Sequence, residues 1–273
     1  MVDLKSQNLD ALIEQDGTKI VRDHFRAGDV AVVTGCARGF GRAIARRLAK
    51  DGAKLAVWDV IDGEGEETAK ICRDLGAEAQ FVHCDLGNDA DIASAAAATL
   101  ERFGPVYALI NNAGINLRTA AIDYSADQFR KTLNVNLVGS FLASQAFARE
   151  MIKRKRGVIV NLASGRAIEG AVNSVGYGAS KGAIVNMTKT LATEWARHGI
   201  RVNAIVPGVS ETRQPLEAGG TLEALVARTD GIPLGRIGHP DDIAGMVAIL
   251  LSRDAAYITG QAIAINGGRI MLP

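Results

Sequence analysis

Tyr177-Gly178-Ala179-Ser180-Lys181 sets a phenol and an ammonium four residues apart, on one face if the segment is helical. A free tyrosine has a pKa of about 10, so roughly one in a thousand is ionised at neutral pH. A neighbouring cation favours the phenolate at ~1.4 kcal/mol per pKa unit, so Lys181 is placed to make Tyr177 a usable general acid/base. That spacing is common by chance, and an exposed helix pair would produce it equally well. Asn161-Leu162-Ala163-Ser164 adds a hydroxyl 13 residues before the tyrosine, after a strand expected to end at the same edge.

A second set of residues suits a dinucleotide. Thr34-Gly35-Cys36-Ala37-Arg38-Gly39-Phe40-Gly41 lies between an expected strand and an expected helix. Glycines there permit a tight turn and let backbone N–H groups approach a pyrophosphate at the helix N-terminus. The spacing is G-x-x-x-G-x-G, not the commoner G-x-G-x-x-G, so the strand–loop–helix context carries the reading. Asp59 ends the second expected strand, 24 residues past Gly35, where a carboxylate accepts hydrogen bonds from ribose hydroxyls. It would repel the 2′-phosphate of NADP by roughly 1 kcal/mol in water and ~4 at an effective dielectric of 20. Arg38 opposes this, because its guanidinium could pair with that phosphate. NAD is therefore the expected cofactor, with NADP the less favoured one. Asp85 and Leu86 follow the third strand, where Asp85 could meet the adenine edge or serve as a turn or cap residue. Asn111-Asn112-Ala113-Gly114 closes the fourth strand with residues small enough to lie against a cofactor.

The elements that must position these groups follow one rhythm. Short β-branched runs at 30–33, 54–58, 79–83, 107–110, 157–162, 201–206 and 261–265 alternate with helical stretches such as Asp89 to Phe103. This predicts an α/β fold: one doubly wound, Rossmann-type, mostly parallel seven-stranded sheet with helices on both faces. Residues 1–27 read as an N-terminal extension and 28–273 as one dinucleotide-binding and catalytic domain. The irregular stretch 209–233, after a strand's carboxyl end, is the expected substrate lid.

With 273 residues, 22% charged and a net charge of +1, the chain has no electrostatic footprint for nucleic acid or a membrane surface. No apolar run approaches the ~20 residues of a membrane span. The basic run Lys153 to Arg156 reads as a solvated helix end. Residues 1–20 lack the apolar core of a signal peptide, and Cys36, Cys72 and Cys84 form no CxxC pair. A reducing, cytoplasmic setting is the expectation. His24, His83, His198 and His239 lack ligand spacing, so no metal is expected.

Taken together, the glycine loop, Asn-Asn-Ala-Gly, Asn136 in Asn134-Val135-Asn136-Leu137, Ser164 and Tyr177-x-x-x-Lys181 resemble the short-chain dehydrogenase/reductase family, from about Val30 to Gly268. The resemblance implies a hydride transfer between NAD(H) and an alcohol or carbonyl carbon of a small-molecule substrate. Ser164 would hold the substrate oxygen and Tyr177 exchange its proton. Lys181 would bind the nicotinamide ribose and lower the tyrosine's pKa, and Asn136 would anchor a relay water. Gly35, Arg38, Gly39, Phe40, Gly41, Asp59, Asp85, Leu86, Asn112, Ala113 and Gly114 would line the cofactor with Tyr177 and Lys181. Pro207, Gly208 and Thr212 match the segment that meets its carboxamide end. Ser210 stands where the family usually has a branched aliphatic, and Asn266-Gly267-Gly268 where it has Asp-Gly-Gly. Asn116 and Arg166 should fall near the substrate mouth, Arg166 either on a substrate anion or in a salt bridge with Glu169. The family also implies a homotetramer, with helices ending near Arg156 and Arg197 as its faces. An NADPH-dependent ketoreductase and a non-catalytic dinucleotide sensor are the alternatives.

Overall fold

The computed structural model describes residues 25–210 and 227–271. Seven strands form one sheet: β1 (Val30–Thr34), β2 (Lys54–Asp59), β3 (Ala79–His83), β4 (Val106–Asn111), β5 (Gly157–Leu162), β6 (Ile200–Pro207) and β7 (Ala262–Ile265). Their spatial order is β3-β2-β1-β4-β5-β6-β7 and every pair is parallel, so the expected doubly wound sheet is present. The order reverses between β1 and β4, where the crossovers pass to opposite sides and a crevice opens at the strands' carboxyl ends. β1, β2, β4 and β5 are buried on both faces, which explains why they read as near-continuous apolar runs rather than alternating ones. Strand positions match the sequence reading to within about a residue.

Helices cover both faces. On one side α1 (Gly39–Lys50) packs with α7 (Pro240–Leu251), closing a core through Ile44, Leu48, Val247 and Leu250. On the other, α3 (Asp89–Phe103) and α5 (Gly139–Arg154) cover Trp58, Phe147, Met151 and Ile159. α3 shows how locally this is written. Asn88 caps its N-terminus by accepting from the Ala90 N–H at 3.0 Å, and Ile92, Ala95, Ala96 and Thr99 form the buried stripe. Thr99 also meets the one polar atom of the buried Trp58, accepting from its indole N–H at 3.0 Å.

The remaining helices are α2 (Asp62–Asp74), α4 (Ala126–Leu133) and α6 (Val175–Trp195). A π-helical turn, Asn134–Val138, joins α4 to α5 without a break. The basic run beyond α5 differs from its expected solvated end. Lys153 and Arg154 belong to the last turn, but Arg156 folds under the sheet, holds the Asp29 carboxylate at 2.6 and 2.8 Å and stacks 4.1 Å above the Tyr107 ring. No helix among the described residues is long and apolar enough to cross a membrane.

Candidate active site

The crevice at the sheet's switch point is a cleft of about 770 Å³. Of the expected cofactor residues, Gly35, Arg38, Gly39, Phe40, Asp59, Asp85, Leu86, Asn112, Ala113, Gly114, Tyr177, Lys181, Pro207 and Gly208 line it, as do Asn116, Ser164 and Arg166. Gly41 and Asn136 lie beneath its wall, and Thr212 falls outside the described residues.

At the glycine end the wall is backbone held by backbone. Gly35 has φ +69°, and a Cβ there would sit 2.7 Å from the Ala113 Cα. A Cβ on Gly41 would sit 2.0 Å from the Gly35 carbonyl oxygen. The glycine spacing therefore reports a fit with no room for a side chain. Thr34 and Asn112, neighbours across β1 and β4, lock the two loops together. Thr34 Oγ1 accepts from the Asn112 and Ala113 N–H groups, both at 3.0 Å. Asn112 Nδ2 donates to the carbonyls of Thr34 and Gly35, both at 2.9 Å.

The residues fit a dinucleotide on a structural observation. α1 begins at Gly39 with no side chain capping it and no acidic residue in its first turn. Its leading N–H groups thus face the cleft, an arrangement that suits a pyrophosphate. Asp59, nearly buried, is oriented by the Ala37 N–H at 2.7 Å and the Ile61 N–H at 3.0 Å. Arg38 pairs with Glu64 at 3.3 Å. Asp85 turns its own loop, accepting from the Gly87 N–H at 2.7 Å, while still lining the cleft. Cys36, inside the glycine loop, is fully buried with its Sγ on the Val33 carbonyl. Burial and the nearby Asp59 carboxylate push its pKa well up, so it is not a reactive thiol.

The other end is built from side chains. The buried stripe of α6 carries Ser180, Lys181, Ile184 and Thr188 toward the sheet. Lys181 is 3% exposed, and its Nζ donates to the Leu162 carbonyl at 2.5 Å, just at the end of β5. Burial pulls its pKa down to about 8. Tyr177, one turn earlier, presents its phenol to the cleft that Ser164 also lines. The Lys181 nitrogen stands 5.7 Å from the centre of the tyrosine ring. Burial raises the phenol's pKa, while Ser164 and then Arg166 pull it back.

Asn136 sits fully buried in the π-helical turn. Its amide is spent on protein partners. Oδ1 accepts from the Ile115 N–H at 2.8 Å, and Nδ2 donates to the Ile115 carbonyl at 3.0 Å and to Ser180 Oγ at 2.9 Å. It therefore clips the loop after β4 to α6, between the two ends of the cleft. Asn111 does the same one layer down, bonding Asn161 Oδ1 at 2.8 Å and Ser144 Oγ at 2.9 Å.

The segment expected as a lid is described only at its two bases. Ser210 bridges to Gly238, and the Leu234 N–H donates to the Gly267 carbonyl at 3.1 Å. Gly238 has room for a serine opposite but little more, since its Cβ would lie 2.7 Å from Ser210 Oγ. Asn266 uses its amide nitrogen, donating to the Ile270 carbonyl at 2.8 Å, a bond that an aspartate at this position could not make.

Several cleft residues were not singled out by sequence: Arg118, Lys131 and Arg269, with Thr34 in its wall and Glu64 and Ser180 behind it. Thr34 and Ser180 lie inside quoted motifs, whereas nothing in the local pattern marks Glu64. Asn116 Oδ1 is a buried acceptor without a hydrogen-bond partner at the cleft wall. Among the described residues no cluster of three or more His, Cys, Asp or Glu could hold a metal.

Fold and cleft together define a Rossmann-type nucleotide-binding protein. A family model described as enoyl-(acyl carrier protein) reductase matches residues 35–269. The 2-(S)-hydroxypropyl-CoM dehydrogenase 3 of Xanthobacter autotrophicus is 38% identical over 244 residues, 88% of this chain and 96% of that one. The galactitol 2-dehydrogenase (L-tagatose-forming) of Cereibacter sphaeroides is also 38% identical, over 88% of this chain and 94% of its own. Among solved structures, an NAD⁺-bound xylitol dehydrogenase superposes with a TM-score of 0.83 at 34% identity, covering 88% of this chain and 98% of that one. A gluconate 5-dehydrogenase from Burkholderia cenocepacia, in complex with NADP and tartrate, gives a TM-score of 0.84 at 32% identity, covering 91% and 98%. The chain belongs to the short-chain dehydrogenase/reductase family and is an oxidoreductase.

Proposed function

We propose that this protein transfers a hydride between NAD(H) and the carbinol or carbonyl carbon of a secondary alcohol or ketone, with Tyr177 as the general acid/base. The observation that carries this reading is that Ser164, Tyr177 and Lys181 line one cleft together with the glycine loop, Tyr177 and Lys181 one turn apart on α6. A non-catalytic sensor has no need of that grouping. The nicotinamide, when bound, supplies the hydride acceptor or donor. The chain's own residues handle the proton. In oxidation the ionised Tyr177 takes the proton of the substrate hydroxyl while Ser164 holds the same oxygen. In reduction the neutral phenol returns it to the forming alkoxide. Because burial raises the Tyr177 pKa, neutral pH favours the reducing role and oxidation gains with rising pH.

Asp59 supports NAD. Its carboxylate is fixed by two backbone N–H groups at the cleft wall and would stand against a 2′-phosphate. An NADPH-dependent ketoreductase is the second reading, favoured by Arg38 in the cleft and by the NADP complex of a similar enzyme. Asn116 Oδ1 suits a second hydroxyl donor on the substrate, in keeping with a relative that acts on galactitol. Arg166, on the turn after Ser164, would meet a substrate anion if one is present. Asn136 positions the loop after β4, and residues 28–273 act as one domain. The same reading includes a cytoplasmic homotetramer, which light scattering on the purified protein would test in part.

The deciding experiment offers a panel of secondary alcohols and polyols with NAD⁺ and NADP⁺ in parallel to the wild type and to Tyr177→Phe. Turnover with NAD⁺ in the wild type is expected, with a loss of at least about a hundredfold in the variant while NADH binding survives. A fully active variant would overturn the role of Tyr177, and turnover restricted to NADP⁺ would overturn the cofactor.

A further inference from the structure

Arg38 and Asp59 both line the cleft, and the Arg38 guanidinium is engaged. Arg38 caps α1 with extended backbone, φ −158° and ψ −177°, and its Nε lies 3.3 Å from a carboxylate oxygen of Glu64. Glu64 sits in the first turn of α2, where a carboxylate is favoured by the helix dipole. Its backbone is fixed in turn. Arg42, one turn beyond Arg38, donates through Nη2 to the Ala37 carbonyl at 2.5 Å, the Glu64 carbonyl at 3.1 Å and the Glu67 carboxylate at 2.8 Å. Arg42 Nε adds a bond to Thr68 Oγ1 at 2.9 Å, and Thr68 Oγ1 reaches the Cys36 carbonyl at 2.9 Å. The first turns of α1 and α2 are thereby stapled together, and the staple delivers the Glu64 carboxylate to Arg38.

We propose that Glu64 is a cofactor-selecting residue: by holding Arg38 it withholds from a 2′-phosphate the guanidinium that would otherwise neutralise it. The inference rests on the reading of the protein as NAD-preferring and deepens it. Two carboxylates, Asp59 and Glu64, border Arg38 on this wall, and Arg42 is taken up by Glu67 and by backbone carbonyls. A dianionic phosphate entering there must draw Arg38 from Glu64 and then lie near both carboxylates. A 2′-hydroxyl asks for neither. Glu64 acts through Arg38 and is a positioning residue.

The size of the effect follows from exposure. The two side chains are 33% and 35% exposed, so solvent and salt screen the pair. An ion pair of this kind is worth up to about 1 kcal/mol, which is about fivefold in affinity. Glu64→Gln keeps the shape and the backbone staple and removes the charge. Titration calorimetry of the purified full-length protein with NADP⁺ and NAD⁺ at low ionic strength reads the result. Glu64→Gln is expected to raise the NADP⁺ to NAD⁺ affinity ratio about fivefold, less so at high salt. In an Arg38→Ala background the same change should move the ratio clearly less, since only the direct repulsion by Glu64 is then relieved; an equal gain there would overturn the role assigned to Arg38. A general loosening of the loop would weaken both cofactors alike and leave the ratio where it was.

Asp59→Ala in the same series separates the two levels of argument. If it improves NADP⁺ binding and Glu64→Gln does not, the role of Glu64 is overturned and the NAD reading stands. If the wild type already binds NADP⁺ as tightly as NAD⁺ and neither substitution changes the ratio, both are overturned.

Discussion

At one end of the cleft the wall is main chain, shaped by Gly35, Gly39 and Gly41 and by the Thr34–Asn112 lock; at the other it is the side chains of Ser164, Tyr177 and Lys181, with Asn136 beneath them. The glycine end works by exclusion, since atoms that are not there leave room for a ligand to touch backbone. The reacting end works by inclusion, since buried polar groups are aimed at one another and at the cleft. Substitutions should fail for opposite reasons: too many atoms at the first, the wrong functional group at the second.

The largest effect expected is from Gly41→Ala. The added methyl would meet the Gly35 carbonyl oxygen at 2.0 Å and Asn112 Nδ2 at 2.7 Å. The first is backbone held in a left-handed turn at φ +69°, so it cannot swing aside cheaply. A cost of at least about 3 kcal/mol in urea unfolding is expected, at the upper end of overpacking penalties. Gly182→Ala, one residue past Lys181, sharpens the comparison. Its methyl would meet only the Ala167 carbonyl at an ordinary 3.8 Å, and a helix gains roughly 0.5–1 kcal/mol when alanine replaces glycine. Equal behaviour of the two variants would break the distinction between the two ends.

A smaller effect concerns what the reacting end spends on its chemistry. Lys181 is buried in an apolar stripe with a pKa of about 8 against an ordinary 10.5. Between those values the unfolded chain holds a proton that the folded chain has released, so this group's contribution to stability rises with pH across that window. Lys181→Met abolishes the effect. The lost donor to the Leu162 carbonyl also costs the variant stability, but that cost does not vary with pH. Wild type minus variant stability should therefore become more favourable by about 2 kcal/mol from pH 7.5 to pH 10. A difference that stays flat would mean that the amine is not desolvated.

The two ends were not equally legible in the sequence. The glycine loop and Asp59 could be read from local context, because a strand, a turn without Cβ atoms and a helix start form one local unit. The strands were legible for a similar reason, being runs of β-branched residues buried on both faces. Tyr177 and Lys181 needed the remaining motifs, because four-residue spacing cannot say whether a helix face is buried. Ser164 and Arg166, from the turn after β5, also favour the Tyr177 phenolate, a tertiary influence that helical spacing does not carry. Glu64 was missed because its meaning lies in a partner 26 residues earlier on another helix. The same holds for Arg156, whose partners Asp29 and Tyr107 lie far away in the chain and draw the last residue of an otherwise exposed basic run into a part-buried ion pair.

The mildest prediction tests whether the turn after β5 tunes the chemistry or only lines the entrance. Arg166 follows Ser164 by two residues, its backbone N–H donating to Ser164 Oγ at 3.2 Å, and its charge favours the Tyr177 phenolate. Arg166→Ala removes the cation, so the phenol's pKa must rise further. Oxidation requires the phenolate, and the ascending limb of kcat/KM against pH should move to higher pH with its alkaline plateau retained. Reduction requires the neutral phenol, so its descending limb should move in the same direction. An Arg166 that serves only to hold a substrate anion would instead raise KM for anionic substrates and leave both limbs in place. Parallel displacement of the limbs with a neutral alcohol separates the two roles, and immobile limbs would confine the tuning of Tyr177 to Ser164 and to burial.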